Sequence, residues 1–374
     1  MSRPRLAFLF IGGMHQVLHL APVAAEISRT RPDIAVQCFC ADPDTYAMLG
    51  AVKAGMNADS LRLTKLTTPR LVIFLARLIH RRSAVKGPIL AAIRWRTKGA
   101  AAIVTPERTS TALRWMGWRG PLIHFRHGAG DRAPASEKRM GAFDLIVVPG
   151  QKDVERAIAI GISPERLRIG GYVKLDYIAL KGPPSDHLFT NRRPVILYNP
   201  HFDRTLSSFD VAREVIGKFA EQERYNLIFA PHVRATEDMS SAERAEWQAM
   251  EIPGRILVDL GSPRLCDMTY TQAADLYLGD VSSQLYEFLV RPRPAVFINT
   301  HDVVWEGNSR YAGWQLGEVV RKPVEILDAI DRAFRNEPAQ ILRQQEAVAF
   351  AFGDYRGAIG RAAAIVTDVL DAKG

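Results

Sequence analysis

Acidic residues are absent between Ser60 and Pro106, where ten basic residues stand: Arg62, Lys65, Arg70, Arg77, Arg81, Arg82, Lys86, Arg94, Arg96 and Lys98. The 374-residue chain carries a net charge of +9, so everything outside that segment sums to −1. A positive field confined to one segment recruits an anionic partner. Phospholipid headgroups or a phosphorylated polymer fit better than nucleic acid, because no stacking aromatics are interleaved with the charges and no nucleic-acid motif is present. Cysteine is scarce: Cys38 and Cys40 alternate along one apolar run, Cys266 is remote, and neither a Cys-x-x-Cys pair nor a Cys/His ligand set occurs. These are expected to be reduced, structural thiols. No apolar run reaches the roughly 18 residues that a membrane-crossing helix needs. Met1-Ser2-Arg3-Pro4-Arg5 lacks the pattern of a secretory leader, which points to the cytoplasm. Gly12-Gly13 lacks the later glycine of a dinucleotide fingerprint.

What is there has the makeup of a globular protein, with 47% hydrophobic and 24% charged residues, and the length suggests two cores. Leu6 to Ile11, Ala35 to Cys40, Ala101 to Val104, Leu122 to Phe125 and Leu145 to Val148 read as buried strands alternating with helices, the pattern of a parallel, doubly wound sheet. Lys181-Gly182-Pro183-Pro184-Ser185-Asp186 reads as a linker. Val195 to Tyr198, Leu227 to Ala230, Ile256 to Val258, Leu276 to Leu278 and Ala295 to Ile298 supply a second α/β domain. The expected division is 1–182, 187–338 and a helical stretch, 339–374, crossing back to the first domain. Leu71 to Arg82, strongly apolar with a basic end, reads either as an interfacial anchor or as a core helix with a solvated flank.

Candidate chemistry follows the strands, since ligands of open parallel sheets sit at their carboxyl ends. After Leu276 to Leu278, Gly279-Asp280 lead to Ser282 and Ser283 at a helix start, where unpaired N–H groups and hydroxyls suit a phosphate. Glu287, about one turn later, could accept from the hydroxyls of a ribose. Alternatively, the serines only cap the helix and Glu287 is a surface charge. His127 stands in the glycine-rich loop Arg126-His127-Gly128-Ala129-Gly130, where small residues admit substrate, and is the first choice for a general base; the alternative is a histidine that only bonds backbone. His232 and Arg234, with Arg204, could neutralise a diphosphate, although Arg204 could equally lie on the surface. His15 and His19 share a helix face without a third metal ligand and could instead meet an acceptor, beside Gly12 and Gly13. Asp42-Pro43-Asp44 is formally a metal-binding pair but is better explained as a helix cap.

Five of these stretches occur in an order that resembles the CDP-glycerol glycerophosphotransferase family, the teichoic-acid polymerase type. They are His127-Gly128; Gly171-Tyr172-Val173-Lys174-Leu175-Asp176; Leu197-Tyr198-Asn199-Pro200 with Arg204; Pro231-His232; and Asp280 to Phe288. The likeness spans about Leu122 to Asn299. It implies a GT-B fold of two doubly wound parallel-sheet domains facing a cleft, and a metal-independent transferase that needs no cofactor. In it His127 is the base and His232 acts with it, while Arg204, Arg234, Asp280, Ser282, Ser283 and Glu287 hold a CDP- or UDP-linked donor. Gly128, and outside the span of the likeness Gly12, Gly13 and His15, are expected on the acceptor side. The implied acceptor is a lipid-linked or polymeric envelope molecule at an anionic membrane surface, and the implied location is peripheral on the inner face of the cytoplasmic membrane. Ala129, Val173 and His201 depart from the family pattern at positions that touch substrate. A non-hydrolysing UDP-sugar 2-epimerase and a non-catalytic nucleotide- or headgroup-binding protein are the alternatives.

Overall fold

The computed structural model describes residues 3–66, 83–131, 135–182 and 188–372, without the side chains of 83–86 and 135–138. The apolar stretch Leu71 to Arg82 and most of the expected linker lie outside the described residues. The chain divides into two compact units. The first comprises Met1–His127, Pro134–Leu180 and Phe352–Gly374; the second comprises Gly128–Ala133 and Lys181–Ala351.

Each unit is built on an all-parallel sheet. In the first, β1 (Arg5–Phe10), β2 (Ala35–Cys40), β3 (Arg62–Lys65), β4 (Ala102–Thr105), β5 (Leu122–Phe125), β6 (Leu145–Val148) and β7 (Leu167–Ile169) are arranged β3-β2-β1-β4-β5-β6-β7. In the second, β8 (Val195–Asn199), β9 (Asn226–Phe229), β10 (Ile256–Val258), β11 (Leu276–Gly279), β12 (Ala295–Ile298) and β13 (Glu318–Val320) are arranged β10-β9-β8-β11-β12-β13. Crossover helices cover both faces of such sheets, which is why the central strands are continuous apolar runs and not alternating ones. Thus β4, β5, β9, β11 and β12 are buried at every residue. Strand order reverses between β1 and β4 in the first sheet and between β8 and β11 in the second, and loops diverge there to leave a crevice at the carboxyl ends.

Strands β3, β7 and β13 were not anticipated. They are short edge strands that lack the continuous burial of the central ones, so their sequences carry little of the apolar signal that marks a central strand. The expected C-terminal helical stretch is two helices, Ile326–Phe352 and Ala358–Asp371, interrupted around Gly353 and Gly357. Asp42 accepts from the Thr45 N–H at 2.8 Å as a helix cap. All three cysteines are free and buried. Among the described residues no helix is long and apolar enough to cross a membrane.

Asp176 fastens the last helix to the first unit. Its two carboxylate oxygens accept from the Gly357 and Ile359 N–H groups, each at 2.9 Å, satisfying donors that open a helix without partners. Arg31 adds an ion pair to Asp371 at 3.1 Å near the other end. Asp176→Ala should therefore cost about 1–2 kcal/mol in urea unfolding, with hydrogen exchange accelerated first in Ala358–Asp371. Unchanged stability would show that the cap contributes nothing.

Candidate functional site

In the first unit the chain turns after β1 through Ile11-Gly12-Gly13 into a 3-10 turn, Met14–Gln16, and the helix Val17–Thr30. Gly12 lacks the Cβ that would lie 2.3 Å from the Gln16 amide, so that side chain folds back over the turn and is buried. There Gln16 Nε2 lies 3.4 Å from Glu107 Oε2, which follows β4, and 3.4 Å from His127 Nε2, which follows β5. An amide nitrogen has two hydrogens and can donate to both, an arrangement that leaves the lone pair of His127 on Nε2 and its proton on Nδ1. The His15 and His19 rings stand 5.9 and 6.1 Å from that of His127, and His19 packs edge-on against Tyr172 at 5.2 Å. The crevice between β1 and β4 is therefore lined by imidazoles, an amide and one carboxylate.

Burial holds His127, His19 and His124 neutral. Burial lowers the pKa of His127 to about 4, with Arg108 and Arg126 acting in the same direction and Glu107 opposing. Burial also lowers His19, helped by the positive charge of Lys174, and lowers His124 in β5. A neutral imidazole with its lone pair on Nε2 can accept a proton.

In the second unit the polar hub is Asn199, at the end of β8. Its amide donates to the Ala230 carbonyl at 2.6 Å, and its oxygen faces the Tyr277 hydroxyl at 3.3 Å and the Ser282 hydroxyl at 3.4 Å. Ser282 Oγ also accepts from the Gln284 N–H at 3.2 Å, opening a helix of only five residues, Gln284–Phe288. Asp280 is fully buried, and one of its oxygens accepts from the His201 N–H at 2.9 Å and the Ser208 N–H at 3.0 Å. Burial pushes its pKa up to about 6. Asp280, expected among the donor-binding residues, therefore braces the loop after β8 from beneath.

Gly128 has a φ of 71°, and a Cβ there would lie 3.0 Å from Ser283 Oγ; one at Gly130 would lie 3.4 Å from the Ser283 nitrogen. The Gly128–Gly130 backbone thus rests on the turn that bears Ser283. Asp131 fixes it there by accepting from the Tyr286 hydroxyl and from the Gly313 N–H at 2.7 Å.

The other expected donor-side residues are distributed around that turn and beyond it. His232 Nδ1 accepts from the Arg234 N–H at 3.2 Å, and the Arg234 guanidinium lies 4.0 Å over the Phe202 ring, which is 4.9 Å from the His232 ring. Arg204 is engaged elsewhere, paired with Asp210 at 2.6 Å and stacked over Phe209 at 4.2 Å. It lines a depression of about 390 Å³ with Arg213, Asp238, Glu243 and Trp247, none of them in the expected set. Glu287 is buried, not a solvated surface charge. Among the described residues no group of three His, Cys, Asp or Glu could hold a metal ion. Sequence reasoning gave no role to Gln16, Glu107 or Asp131. The signal for Asp131 was its position directly after the glycine-rich loop.

No family model matches the chain, and no curated protein matches its sequence. Solved structures match across nearly its whole length. The UDP-GlcNAc 2-epimerase of Neisseria meningitidis bound to UDP-GlcNAc is 11% identical, with a TM-score of 0.59, and 98% of this chain covers 100% of that one. The wall teichoic acid polymerase TagF, as a histidine-to-asparagine variant with CDPG, is 13% identical with a TM-score of 0.58, over 100% of this chain and 89% of that one. HepE of Anabaena in complex with UDP-glucose is 14% identical with a TM-score of 0.60, over 97% and 99%. The fold is GT-B-like.

The buried histidines make stability depend on pH. Their folded pKa values lie below the ordinary 6.5, so between those limits the unfolded chain binds more protons. Their contribution is complete above about 6.5 and is lost as pH falls toward 4. His127 alone should account for about 1–2 kcal/mol between pH 7 and 5, read by urea unfolding at each pH. An NMR titration of the imidazoles should place His127 near pH 4. A midpoint near 6.5 would contradict the account.

Proposed function

We propose that the protein is a metal-independent transferase that moves a polyol phosphate or a sugar from a CDP- or UDP-linked donor to a membrane-associated envelope glycan or lipid. The observation that supports this best lies at one peptide bond. His127, neutral and partnered by Gln16, is followed directly by Gly128, whose backbone rests on the Ser283 turn. The proposed proton acceptor is thus joined by one peptide bond to a residue that packs on the proposed anion-binding turn. The structures of GT-B-like enzymes with UDP-GlcNAc, UDP-glucose and CDPG support a nucleotide-linked donor.

In this reading the acceptor hydroxyl displaces the Gln16 amide from His127 Nε2, which takes the hydroxyl proton as the oxygen attacks. Attack at the β-phosphorus forms the new P–O bond and breaks the bridge to the nucleoside monophosphate, which leaves. Attack at an anomeric carbon expels the nucleoside diphosphate instead. Ser282, Ser283, His232 and Arg234 stabilise the phosphates, charge neutralisation being the main requirement of such a transfer. Glu287 serves the ribose. Binding of an anionic donor beside the imidazole would raise the pKa of His127 toward neutrality, where a general base is most effective. Arg204 would have to leave Asp210 to take part.

The epimerase reading rests on the likeness to the Neisseria enzyme and makes a different demand, since a UDP-sugar would be converted to its 2-epimer with no acceptor present. Chromatography of nucleotide and sugar products, with and without an acceptor alcohol, separates the two. Under the transferase reading, release of nucleotide depends on acceptor, and His127→Ala lowers turnover about a hundredfold to ten-thousandfold while the stabilisation by bound nucleotide persists. Turnover within threefold of the wild type would refute the role of His127.

A further inference from the structure

Two tryptophans are exposed on the first unit at the ends of neighbouring helices. Trp95 closes the helix Ser83–Arg96 at 76% exposure, and Trp115 closes the helix Ala112–Trp115 at 93%, the most exposed large apolar side chain among the described residues. The two ends are stitched together. Arg94 donates to the Met116 and Gly117 carbonyls, both at 3.1 Å, and Arg5 donates to the carbonyls of Arg96 at 2.9 Å and Lys98 at 2.8 Å. Met116 is exposed beside Trp115, whereas Trp118, three residues on, is buried. An indole left in water costs free energy, so two on a surface braced by arginine side chains mark a contact face.

The charge around them says what the face meets. Of residues 83–120, seven are Lys or Arg and one, Glu107, is acidic, and Glu107 belongs to the His127 cluster. Arg96, Lys98 and Arg119 are exposed, while Arg114 is paired with Asp144. Tryptophan prefers the headgroup level of a bilayer, where its ring is buried and its N–H stays wet, and Lys and Arg are drawn to anionic headgroups. Trp95 and Trp115 end helices and do not line a strand platform or groove along which successive bases could stack, so lipid fits better than a nucleic acid strand.

We infer that Trp95 and Trp115, with Arg96, Lys98 and Arg119, form the surface by which this protein seats on an anionic lipid bilayer. The inference deepens the proposal of a membrane-associated acceptor and is separable from the nucleotide chemistry, because none of these residues belongs to the candidate site.

The test is cosedimentation of the full chain with vesicles of phosphatidylglycerol and phosphatidylcholine, against phosphatidylcholine alone, across salt concentrations. Trp95→Ser/Trp115→Ser should weaken binding to the anionic vesicles at least tenfold and leave the melting temperature and its shift by CDP or UDP unchanged. Trp95→Phe/Trp115→Phe should still bind but lose quenching of tryptophan fluorescence by brominated lipid. The inference is overturned if the wild type binds no vesicles, if it binds neutral and anionic vesicles equally, or if the Ser variant binds as well as the wild type. It is also overturned if the Trp-dependent ligand is a single-stranded oligonucleotide, or if light scattering shows that the Ser variant dissociates a dimer. Vesicle binding without any nucleotide-induced shift would instead refute the transferase reading and leave the surface standing.

Discussion

Parallel pairing is the constraint on which the rest of this protein depends. A strand flanked by parallel neighbours and covered on both faces leaves little room for polar groups, so β4, β5, β9, β11 and β12 are buried throughout and mostly apolar, with Thr105, His124 and Asn226 as the polar exceptions. Polar chemistry is displaced to the loops at the carboxyl ends, and most strongly to the points where strand order reverses. Both candidate clusters are there, Gln16 and Glu107 after β1 and β4, and Asn199 and Ser282 after β8 and β11.

Buried polar side chains then convert loose loops into shaped ones. Asp280 holds the backbone at both His201 and Ser208, Asn199 ties β9 to the serine turn, and Asp131 straps the glycine loop beside Tyr286 and Gly313. Asn199 and Asp131 offset their desolvation with these hydrogen bonds, Asp280 does so only in part because burial still raises its pKa, and removing any of them would strand partners. Glycine matters in the same places for a steric reason: at Gly12 and Gly128 a side chain would occupy the space taken by Gln16 and Ser283.

The central strands could be read from the sequence because burial on both faces writes itself as an apolar run. Edge strands were legible only where they are apolar, as in Ile256–Val258, and not in Arg62–Lys65 and Leu167–Ile169, which keep much of their surface in water. The candidate site was legible where chemistry and position coincide, as in the strand-to-loop placement of His127 and of Ser282. It was not legible where a role depends on a partner far along the chain, as Gln16 meets Glu107 and His127 only after folding, nor where a short-range pair such as Arg204 with Asp210 spans a turn and a short 3-10 segment that no periodicity describes. Asp176 shows the converse, a residue in a family-like motif whose visible work is to cap a helix.

The central claim is that this GT-B-like scaffold binds a pyrimidine nucleotide through the turn after β11. It is tested most directly by isothermal titration of the protein with CDP, UDP, ADP and GDP, repeated on Ser283→Ala. The account predicts that CDP or UDP binds with preference over the purine nucleotides and that the Ser283 variant weakens this binding severalfold. Absence of binding by all four, or equal binding that ignores Ser283, would contradict it.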